Sequence, residues 1–379
     1  TYTLQFVEKD FFKQHCNILK TYYVIFVNTS KMIQQKTIIL CAPTDYGFAE
    51  TIRKALLDQG FIVYAFPISR EPFKYKRLTD RLYNCYRKVF FNDYSYKEKL
   101  KHEAHYDKLY EKLRSFDEIA DYALFIRPDL YPMEFVEAIK SKALKTVAYQ
   151  WDGLDRFPAV YNYIDLFDRF FVFDNKDLNK HPNLLPLTNF FIPKISSLQA
   201  KDKAYLIATF DDYRFPLIRQ LKAEFEKIEY PHHFSVVTWN QNQTERLLHA
   251  GLLVGKALDY EENLSEVQKY NVLIDIHAPI HNGLSFRIFE ALCYGKKLIT
   301  TNQAVKDYDF YHPDNIFIWK GNNQSELRQF LMTDLVPLPA ELIEKYSFAN
   351  WIKYVLDMKG HTEITLPVKN KKKEVYALA

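Results

Sequence analysis

Glycine and cysteine are both scarce in this sequence. Nine of its 379 residues are glycine, so each glycine is more informative than usual. The four cysteines, Cys16, Cys41, Cys85 and Cys293, form no CxxC or CxxH pair. Cysteines scattered in this way argue against a disulfide framework and against a zinc site, and they fit a reducing cytoplasm.

The motifs of two large nucleotide-binding classes are missing as well. The chain contains neither GxGxxG nor GxxxxGK[ST]. Their absence disfavours a dinucleotide-dependent oxidoreductase and a P-loop ATPase. The formal net charge of +4 is small, and no run combines Lys or Arg with aromatic residues as a single-strand binding groove does. A nucleic-acid partner is therefore not expected.

Long apolar runs are absent too, because none approaches the roughly 18 to 20 residues that a membrane-spanning helix needs. The longest candidate, TYYVIFVN at 21–28, is under half that length. We therefore expect a soluble or peripherally bound cytoplasmic protein. The basic run KNKKK at 369–373 is typical of a solvated chain end, and the alternative is a peripheral contact with anionic lipid of the inner membrane.

From Met32 onward, short apolar segments alternate with helical patterns. This alternation is the signature of parallel βαβ units, and strands this apolar need helices on both faces of their sheet. The sequence therefore predicts an α/β protein with two doubly wound Rossmann-like domains that face a cleft. The predicted strands lie at 37–42, 61–66, 122–128, 145–152 and 169–174, and at 204–209, 234–239, 271–277, 297–302 and 315–319.

The predicted domain boundaries follow from where this alternation stops and restarts. It lapses between Asn183 and Lys194, where two prolines and no regular pattern indicate a crossover. The residues before Met32 either extend outside the folded unit or form an ordinary N-terminal helix and strand. The predicted segments are this extension at 1–31, a first domain at 32–185, a second domain at 195–345, a helix at 346–360 that packs back across the interface, and a basic tail at 361–379.

Polar residues directly follow several predicted strands of the first domain, where open α/β sheets bind their ligands. Gly47 lies in the turn after the first strand, where backbone amides can approach a ligand. Arg127 and Asp129 follow the third strand, and a solvated strand end is the alternative. Asp152 follows the fourth strand, as either a general base held at the cleft or the N-cap of a helix.

The segment HNGLSFRIFEALCYGKKLITTN at 281–302 has the densest cluster of polar signals. A loop with Gly283 precedes a helix in which Arg287 and Glu290 are three residues apart and share one face. The helix N-terminus and Arg287 suit a phosphate, and Glu290 can accept hydrogen bonds from a ribose diol. The alternative is an Arg–Glu pair on a solvated face, which contributes only a few tenths of a kcal/mol.

This segment, extended as VLIDIHAPIHNGLSFRIFEALCYGKKLITTN, resembles the donor-site segment of GT-B glycosyltransferases, in which a loop with glycine precedes a helix with the pattern E-A-x-x-x-G-x-x-[VLI]. FIRPD, YQWD and KDYDFYHPDNI are similar to segments of bacterial glycosyltransferases of lipopolysaccharide or capsular polysaccharide biosynthesis. The resemblance covers the chain from Met32 to about Met358. It implies a GT-B fold with an acceptor-side first domain and a second domain that binds a nucleotide-sugar.

The resemblance also implies roles for the residues of the donor-site segment. Glu290 would hold the ribose of the nucleotide-sugar, and Arg287 would neutralise its diphosphate. Gly283, Leu284 and Ser285 would face that diphosphate.

Other positions are less determined by the resemblance. Asn282 takes the place of a second acid that contacts the sugar in many members, so the identity of the sugar stays open. His281 lies beside the diphosphate loop and can touch substrate. Candidates for further contacts with the diphosphate or the acceptor are Gly47, Arg127, Asp129, Arg214 and Lys256.

The implied activity is transfer of a sugar from a UDP-, GDP- or CMP-linked donor to a saccharide or lipid-linked saccharide in surface polysaccharide biosynthesis. Asp152 would take the acceptor proton, and neither cofactor nor metal is expected. The sequence DYD at 307–309 imitates the metal motif of another glycosyltransferase fold, and a polar turn is the alternative. The architecture also allows a nucleotide-sugar epimerase or a non-catalytic nucleotide-binding scaffold.

Overall fold

The computed structural model describes residues 35–69, 75, 77–91, 95–194 and 200–367. The predicted extension at 1–31 and the basic run at 369–373 lie outside the described residues. Within the ranges that are described, no helix combines the length and the apolar character needed to cross a bilayer.

The first sheet contains six parallel strands in the order β2-β1-β3-β4-β5-β6. Its central strands are buried on both faces because helices cover the two sides of the sheet. The strands are β1 (Thr37–Cys41), β2 (Ile62–Ala65), β3 (Ala120–Ile126), β4 (Ala143–Gln150), β5 (Arg169–Val172) and β6 (Leu184–Pro186).

The helices of this half connect successive strands. In α1, Ile52, Ala55 and Leu56 are buried at the three- and four-residue spacing of a helix face that packs on a sheet. A long 3-10 segment at Pro158–Leu166 connects β4 to β5. The α-helices are α1 (Phe48–Asp58), α2 (Leu78–Phe91), α3 (Ser95–Arg114) and α4 (Met133–Lys140).

The second sheet also contains six parallel strands, in the order β12-β11-β10-β7-β8-β9. Counted from its own first strand, this is the 3-2-1-4-5-6 order of the Rossmann fold. The predicted architecture of two doubly wound domains is thereby confirmed. Its strands are β7 (Lys201–Thr209), β8 (His232–Val237), β9 (Leu253–Gly255), β10 (Tyr270–Asp275), β11 (Lys297–Thr300) and β12 (Ile316–Ile318).

The helices of the second half cover this sheet and then return toward the first. Those within the domain are α5 (Arg214–Lys227), α6 (Gln241–His249), α7 (Tyr260–Val267), α8 (Phe286–Cys293) and α9 (Gln324–Met332). Two more follow, α10 (Ala340–Lys345) and α11 (Phe348–Val355).

Helix α11 contacts the first domain through buried side chains. Trp351 is fully buried, and its indole N–H donates to the carbonyl of Thr188 at 3.0 Å. Its ring lies 4.7 Å from the ring of Phe190 and 5.4 Å from that of Tyr149 on β4. The guanidinium of Arg169 on β5 donates to the last carbonyls of the same helix at 2.6 and 2.9 Å. One apolar core therefore continues from the first sheet into the C-terminal helices.

Several sequence-based expectations about elements were wrong. The segment 183–194 was expected to be irregular, yet β6 adds a sixth strand there. Strand β9 and helices α2 and α7 were also not predicted. The two missed strands have three residues each, which is too short to show a period.

Candidate functional site

A cavity of about 480 Å³ lies between the two sheets at the carboxyl ends of their strands. The first domain contributes the loops after β1 and β4, and the second contributes the ends of β7 and β10 and the starts of α7 and α8. Strands β7 and β10 are neighbours at the point where the strand order reverses, and the loops that leave them there diverge and open a crevice. The topology of both sheets thus produces the cavity.

At the second-domain wall of the cavity, the start of α8 is tied to the end of β10. Ser285 occupies the N-cap position, but its side chain caps no helix amide. Its hydroxyl instead donates to Oδ1 of Asp275 at 2.8 Å, while Oδ2 accepts from the hydroxyl of Thr300 at 2.9 Å. Asp275 therefore lines the cavity with both oxygens engaged by hydroxyl groups.

Arg287 and Glu290 form a buried polar cluster with Asn263 on the same wall. Glu290 is only 2% exposed, and its Oε2 lies 3.0 Å from Nη1 of Arg287. Asn263 donates to Oε1 of Glu290 at 3.0 Å and accepts from Nη2 of Arg287 at 3.2 Å. Burial raises the pKa of Glu290 above its usual range, and the charge of Arg287 opposes that rise. The Arg–Glu pair exists, but it faces a cavity rather than open solvent.

Two polar side-chain atoms on this cavity are buried and lack a hydrogen-bond partner among the described residues. They are Nε of Arg214 and the hydroxyl oxygen of Tyr260. Leaving such an atom unsatisfied costs about 1–3 kcal/mol. Nη1 of Arg287 and Oε2 of Glu290 face each other at 3.0 Å as an ion pair, but not in hydrogen-bond geometry. This wall of the cavity therefore suits a polar ligand that supplies both hydrogen-bond donors and acceptors.

Asp152 lines the opposite wall and is held by two arginines. Its Oδ1 accepts from Arg156 at 3.0 Å, and its Oδ2 is in short contact with Arg127. Arg127 is 1% exposed and makes a bidentate pair with Asp129 at 2.7 and 2.8 Å. Its φ of 61° lies in the left-handed region that non-glycine residues rarely adopt, so the surroundings must hold it there. Neither Arg127 nor Asp129 lines the cavity; Arg127 contacts the cavity-lining Asp152, and Asp129 holds Arg127.

Residues 281–284 contact the first domain and are not on the cavity wall. The amide of Asn282 donates to Oδ2 of Asp174 at 2.6 Å, and the ring of His281 lies 4.9 Å from the ring of Phe173. A β-carbon on Gly283 would lie 2.2 Å from Phe173 Cε2, and the carbonyl of Leu284 accepts from Asn189 at 2.8 Å. Gly283 and Leu284, expected to face a diphosphate, contact Phe173 and Asn189 at the domain interface, and their role toward a diphosphate stays a prediction.

Of the remaining residues that the sequence suggested for the site, some line the cavity and others do not. Arg214 begins α5 and lines the cavity. Gly47 has a φ of 69° and lies between two cavity-lining residues, and a β-carbon there would lie 3.3 Å from that of Asp259 across the domain boundary. Lys256 is exposed and does not line the cavity. The structure therefore brings Arg214, Ser285, Arg287, Glu290 and Asp152 together around one space.

Sequence reasoning missed Asp275, Asn263 and Tyr260. Asp275 ends an apolar strand, so the rule that located Asp152 could also have located it. Asn263 and Tyr260 lie on α7, a helix that was not predicted, and no signal in the sequence connects them to Glu290.

The DYD segment does not lie on the cavity. The two oxygens of Asp309 accept from the hydroxyl of Tyr346 at 2.6 Å and from Lys345 at 2.7 Å. In the part of the chain that the structure describes, no group of three or more His, Cys, Asp or Glu side chains could hold a metal ion.

Comparisons with known proteins yield only distant structural likenesses. No protein-family model matches the chain, and no curated protein matches it. AviGT4, a glycosyltransferase involved in avilamycin A biosynthesis, overlaps 82% of this chain and 91% of its own at 10% identity, with a TM-score of 0.46. A glycosyltransferase from Rickettsia africae ESF-5 overlaps 78% of this chain and 87% of its own at 12% identity, with a TM-score of 0.43. A UDP-N-acetylglucosamine 2-epimerase overlaps 87% and 99% at 12% identity, with a TM-score of 0.40. At these values the likenesses carry no argument about family or activity.

Proposed function

We propose that this protein is a glycosyltransferase that moves a sugar from a nucleotide-sugar to a saccharide acceptor in the cavity between its domains. The observation that carries the proposal is the cluster of polar side chains on one wall of the cavity, which combines hydrogen-bond donors and acceptors. It consists of the Arg287–Glu290 pair with Asn263, and of Arg214 and Tyr260, each of which has a buried atom without a hydrogen-bond partner among the described residues. The cavity of about 480 Å³ falls in the usual range for small-molecule sites, roughly 300–1,000 Å³.

The second domain supplies the groups for the donor. Oε2 of Glu290 would accept a hydrogen bond from a ribose hydroxyl, as the resemblance implies. Arg214 and Arg287 would donate to the diphosphate of a UDP- or GDP-linked sugar, or to the phosphate of a CMP-linked sugar. Their positive charges would offset the negative charge of the phosphate groups in place of a metal ion. The amides at the start of α8 add a partial positive charge at the same place.

The first domain supplies the group for the acceptor. In the proposed step an acceptor hydroxyl oxygen bonds to the anomeric carbon, the bond from that carbon to the diphosphate oxygen breaks, and its electron pair leaves with the diphosphate. The proton of the hydroxyl goes to Asp152. Arg127 fixes the direction of this carboxylate, while Arg156, which is 46% exposed, is the partner that an entering acceptor would displace from Oδ1.

The proposed context is the assembly of surface polysaccharide, lipopolysaccharide or capsule, with a saccharide or lipid-linked saccharide as acceptor. The resemblance of residues 272–302 and of FIRPD and YQWD to such enzymes supports this part.

The test is a binding and product experiment on Glu290→Gln. Losing a charged hydrogen bond to the ribose should weaken binding of the cognate nucleotide by about 1–3 kcal/mol in calorimetry with UDP, GDP and CMP. Glu50→Gln is the matched control, because Glu50 is exposed on α1 and pairs only with Arg53 at 2.7 Å. Thermal unfolding of both variants verifies that they are folded.

The product assay separates this proposal from its rivals. Release of nucleoside diphosphate that depends on added acceptor supports transfer. Interconversion of the nucleotide-sugar without acceptor would identify an epimerase, and binding without any turnover would identify a scaffold. Equal nucleotide affinity in Glu290→Gln and the native chain would remove Glu290 from the donor site.

A further inference from the structure

Helix α2 presents its apolar side to solvent and its polar side to the protein. Its only buried residue is Asn84. Leu82 is 71% exposed, Val89 70% and Phe90 71%. No other described helix carries more than one exposed large apolar side chain, whereas α2 carries Leu78, Leu82, Tyr83, Tyr86, Val89, Phe90 and Phe91. A surface helix usually buries its apolar side and exposes its polar side, and α2 does the reverse. The exposed apolar side of α2 therefore indicates a surface that binds an apolar partner.

Five of these seven exposed apolar side chains form one continuous face. Leu78, Leu82, Tyr86 and Val89 follow one another at intervals of three and four residues, which places them in a stripe along the helix. Phe90 widens the stripe near its C-terminal end. An apolar stripe of this length on a surface helix is larger than the scattered single residues that most soluble proteins expose.

Basic residues flank this face along one edge. By helical spacing, the exposed Arg77 and Arg81 lie along that edge, while Asp80 is the only acid between residues 77 and 91. Asp80 lies on the side away from the apolar stripe, where its carboxylate accepts from the hydroxyl of Tyr96 on α3 at 3.1 Å. An apolar face with aromatic residues and a basic border is the pattern of helices that lie in the interface of an anionic membrane.

We infer that α2 is a membrane-binding helix that docks the protein on a bilayer with anionic headgroups. A second copy of the chain fits this face less well, because a two-fold contact would bring equivalent arginines against one another. The N-terminal residues 1–34 offer no complementary charge, since they contain four lysines and only two acids. Anionic headgroups match both the apolar stripe and its basic border. This inference stands whether or not the proposed transferase activity is correct.

The inference assigns the membrane contact to α2 rather than to the basic tail. From the sequence, a lipid contact of the run at 369–373 is the alternative to a solvated chain end, and a basic run alone lacks apolar side chains to insert. Helix α2 follows β2 and is held against α3 by the ring of Tyr83, which lies 4.8 Å from that of Tyr96. The membrane-facing side of the helix is thus fixed relative to the first domain.

The experiment is flotation of the full chain with two kinds of vesicle, phosphatidylcholine alone and phosphatidylcholine mixed with phosphatidylglycerol. We expect binding to the mixed vesicles only, and weaker binding as salt shortens the range of the charge interactions. The variant Leu82→Ser/Val89→Ser should lower the partition coefficient on the order of tenfold or more for each lost apolar side chain. The control variant Leu248→Ser/Met332→Ser removes two exposed apolar side chains of the second domain and should bind as the native chain does.

Four outcomes would overturn the inference. The native chain could fail to float with anionic vesicles, or Leu82→Ser/Val89→Ser could float as well as the control. A native dimer that becomes a monomer in Leu82→Ser/Val89→Ser would assign the face to a second copy of the chain. Replacing the lysines at 369–373 with glutamine tests the tail: loss of binding in that variant alone, with binding kept in Leu82→Ser/Val89→Ser, would also refute it.

Discussion

Replacing Gly283 with alanine should loosen the contact between the two domains. Gly283 precedes α8, and it faces the ring of Phe173, which follows β5. A β-carbon at position 283 would lie 2.2, 2.3 and 2.7 Å from three atoms of that ring. Carbon atoms in contact prefer about 3.5–4.0 Å, so the ring or the loop has to move by more than 1 Å.

The expected loss can be worked out from this geometry. Phe173 is only 3% exposed and packs against His281, so the ring has little room to move. An extra methyl group in a packed interior costs about 1–3 kcal/mol. Alanine also restricts the unfolded chain, which returns about 0.4–1 kcal/mol where the native backbone accommodates it. Gly283 does not have a positive φ, so that gain applies, and the net destabilisation of Gly283→Ala should be about 1–2 kcal/mol.

Urea unfolding followed by circular dichroism measures this difference. Phe173→Leu should recover part of the stability in the Gly283→Ala background, because a smaller side chain makes room, and a double-mutant cycle gives the coupling. Gly153→Ala is the control: its β-carbon would meet His281 at 3.5 Å, an ordinary contact, so the change should stay within about 0.5 kcal/mol. If Gly283→Ala keeps native stability and instead weakens nucleotide binding, Gly283 faces the diphosphate and the interface reasoning is wrong.

Two further predictions concern charged and titratable groups. Arg127→Met should lower the free energy of unfolding by about 3–5 kcal/mol, because it leaves the buried carboxylate of Asp129 without its partner, whereas Arg53→Met, at an exposed pair, should cost under about 1 kcal/mol; urea titrations of both variants check this. Burial lowers the pKa of His277 to about 4, so the unfolded chain binds the proton more tightly and stability should fall as the pH drops from about 6.5 toward 4. Unfolding at pH 7 and pH 5 should differ by about 1–2 kcal/mol through this residue, and the difference should shrink in His277→Asn; an unchanged pH dependence in that variant would contradict the assignment.

The parts of the fold that the sequence could predict are those in which local pattern and tertiary role agree. The last four residues of β1, Ile38 to Cys41, are buried and form an apolar run, so the place of this strand in a covered parallel sheet was evident. Helix α8 buries Ile288, Phe289 and Leu292 at helical spacing and ends before Gly295, as its sequence indicated. The Rossmann-like architecture follows from repeating such elements.

Other parts could not be predicted because the deciding contact is distant in sequence. A glycine before a helix is compatible with a diphosphate loop, and only the ring of Phe173, which is 110 residues earlier in the numbering, shows that the space is already filled. Glu290 likewise shares its site with Asn263, whose helix has no sequence signal that ties it to α8. In α2 the local pattern is amphipathic, but the pattern does not tell which face is covered, and the structure covers the polar one.

The contacts before α8 connect the two walls of the cavity. The amide of Asn282 is bonded to Asp174, and the carbonyl of Leu284 accepts from Asn189, whose own side-chain oxygen accepts from the hydroxyl of Tyr149 on β4 at 2.7 Å. Strand β4 also leads directly to Asp152. The backbone that begins α8 and the strand that carries Asp152 are therefore held at a set separation by side chains that do not line the cavity. Opening the cavity would break these hydrogen bonds together. The start of α8 and Asp152 should therefore keep their mutual distance as long as the contacts of Asn282 and Leu284 with the first domain persist.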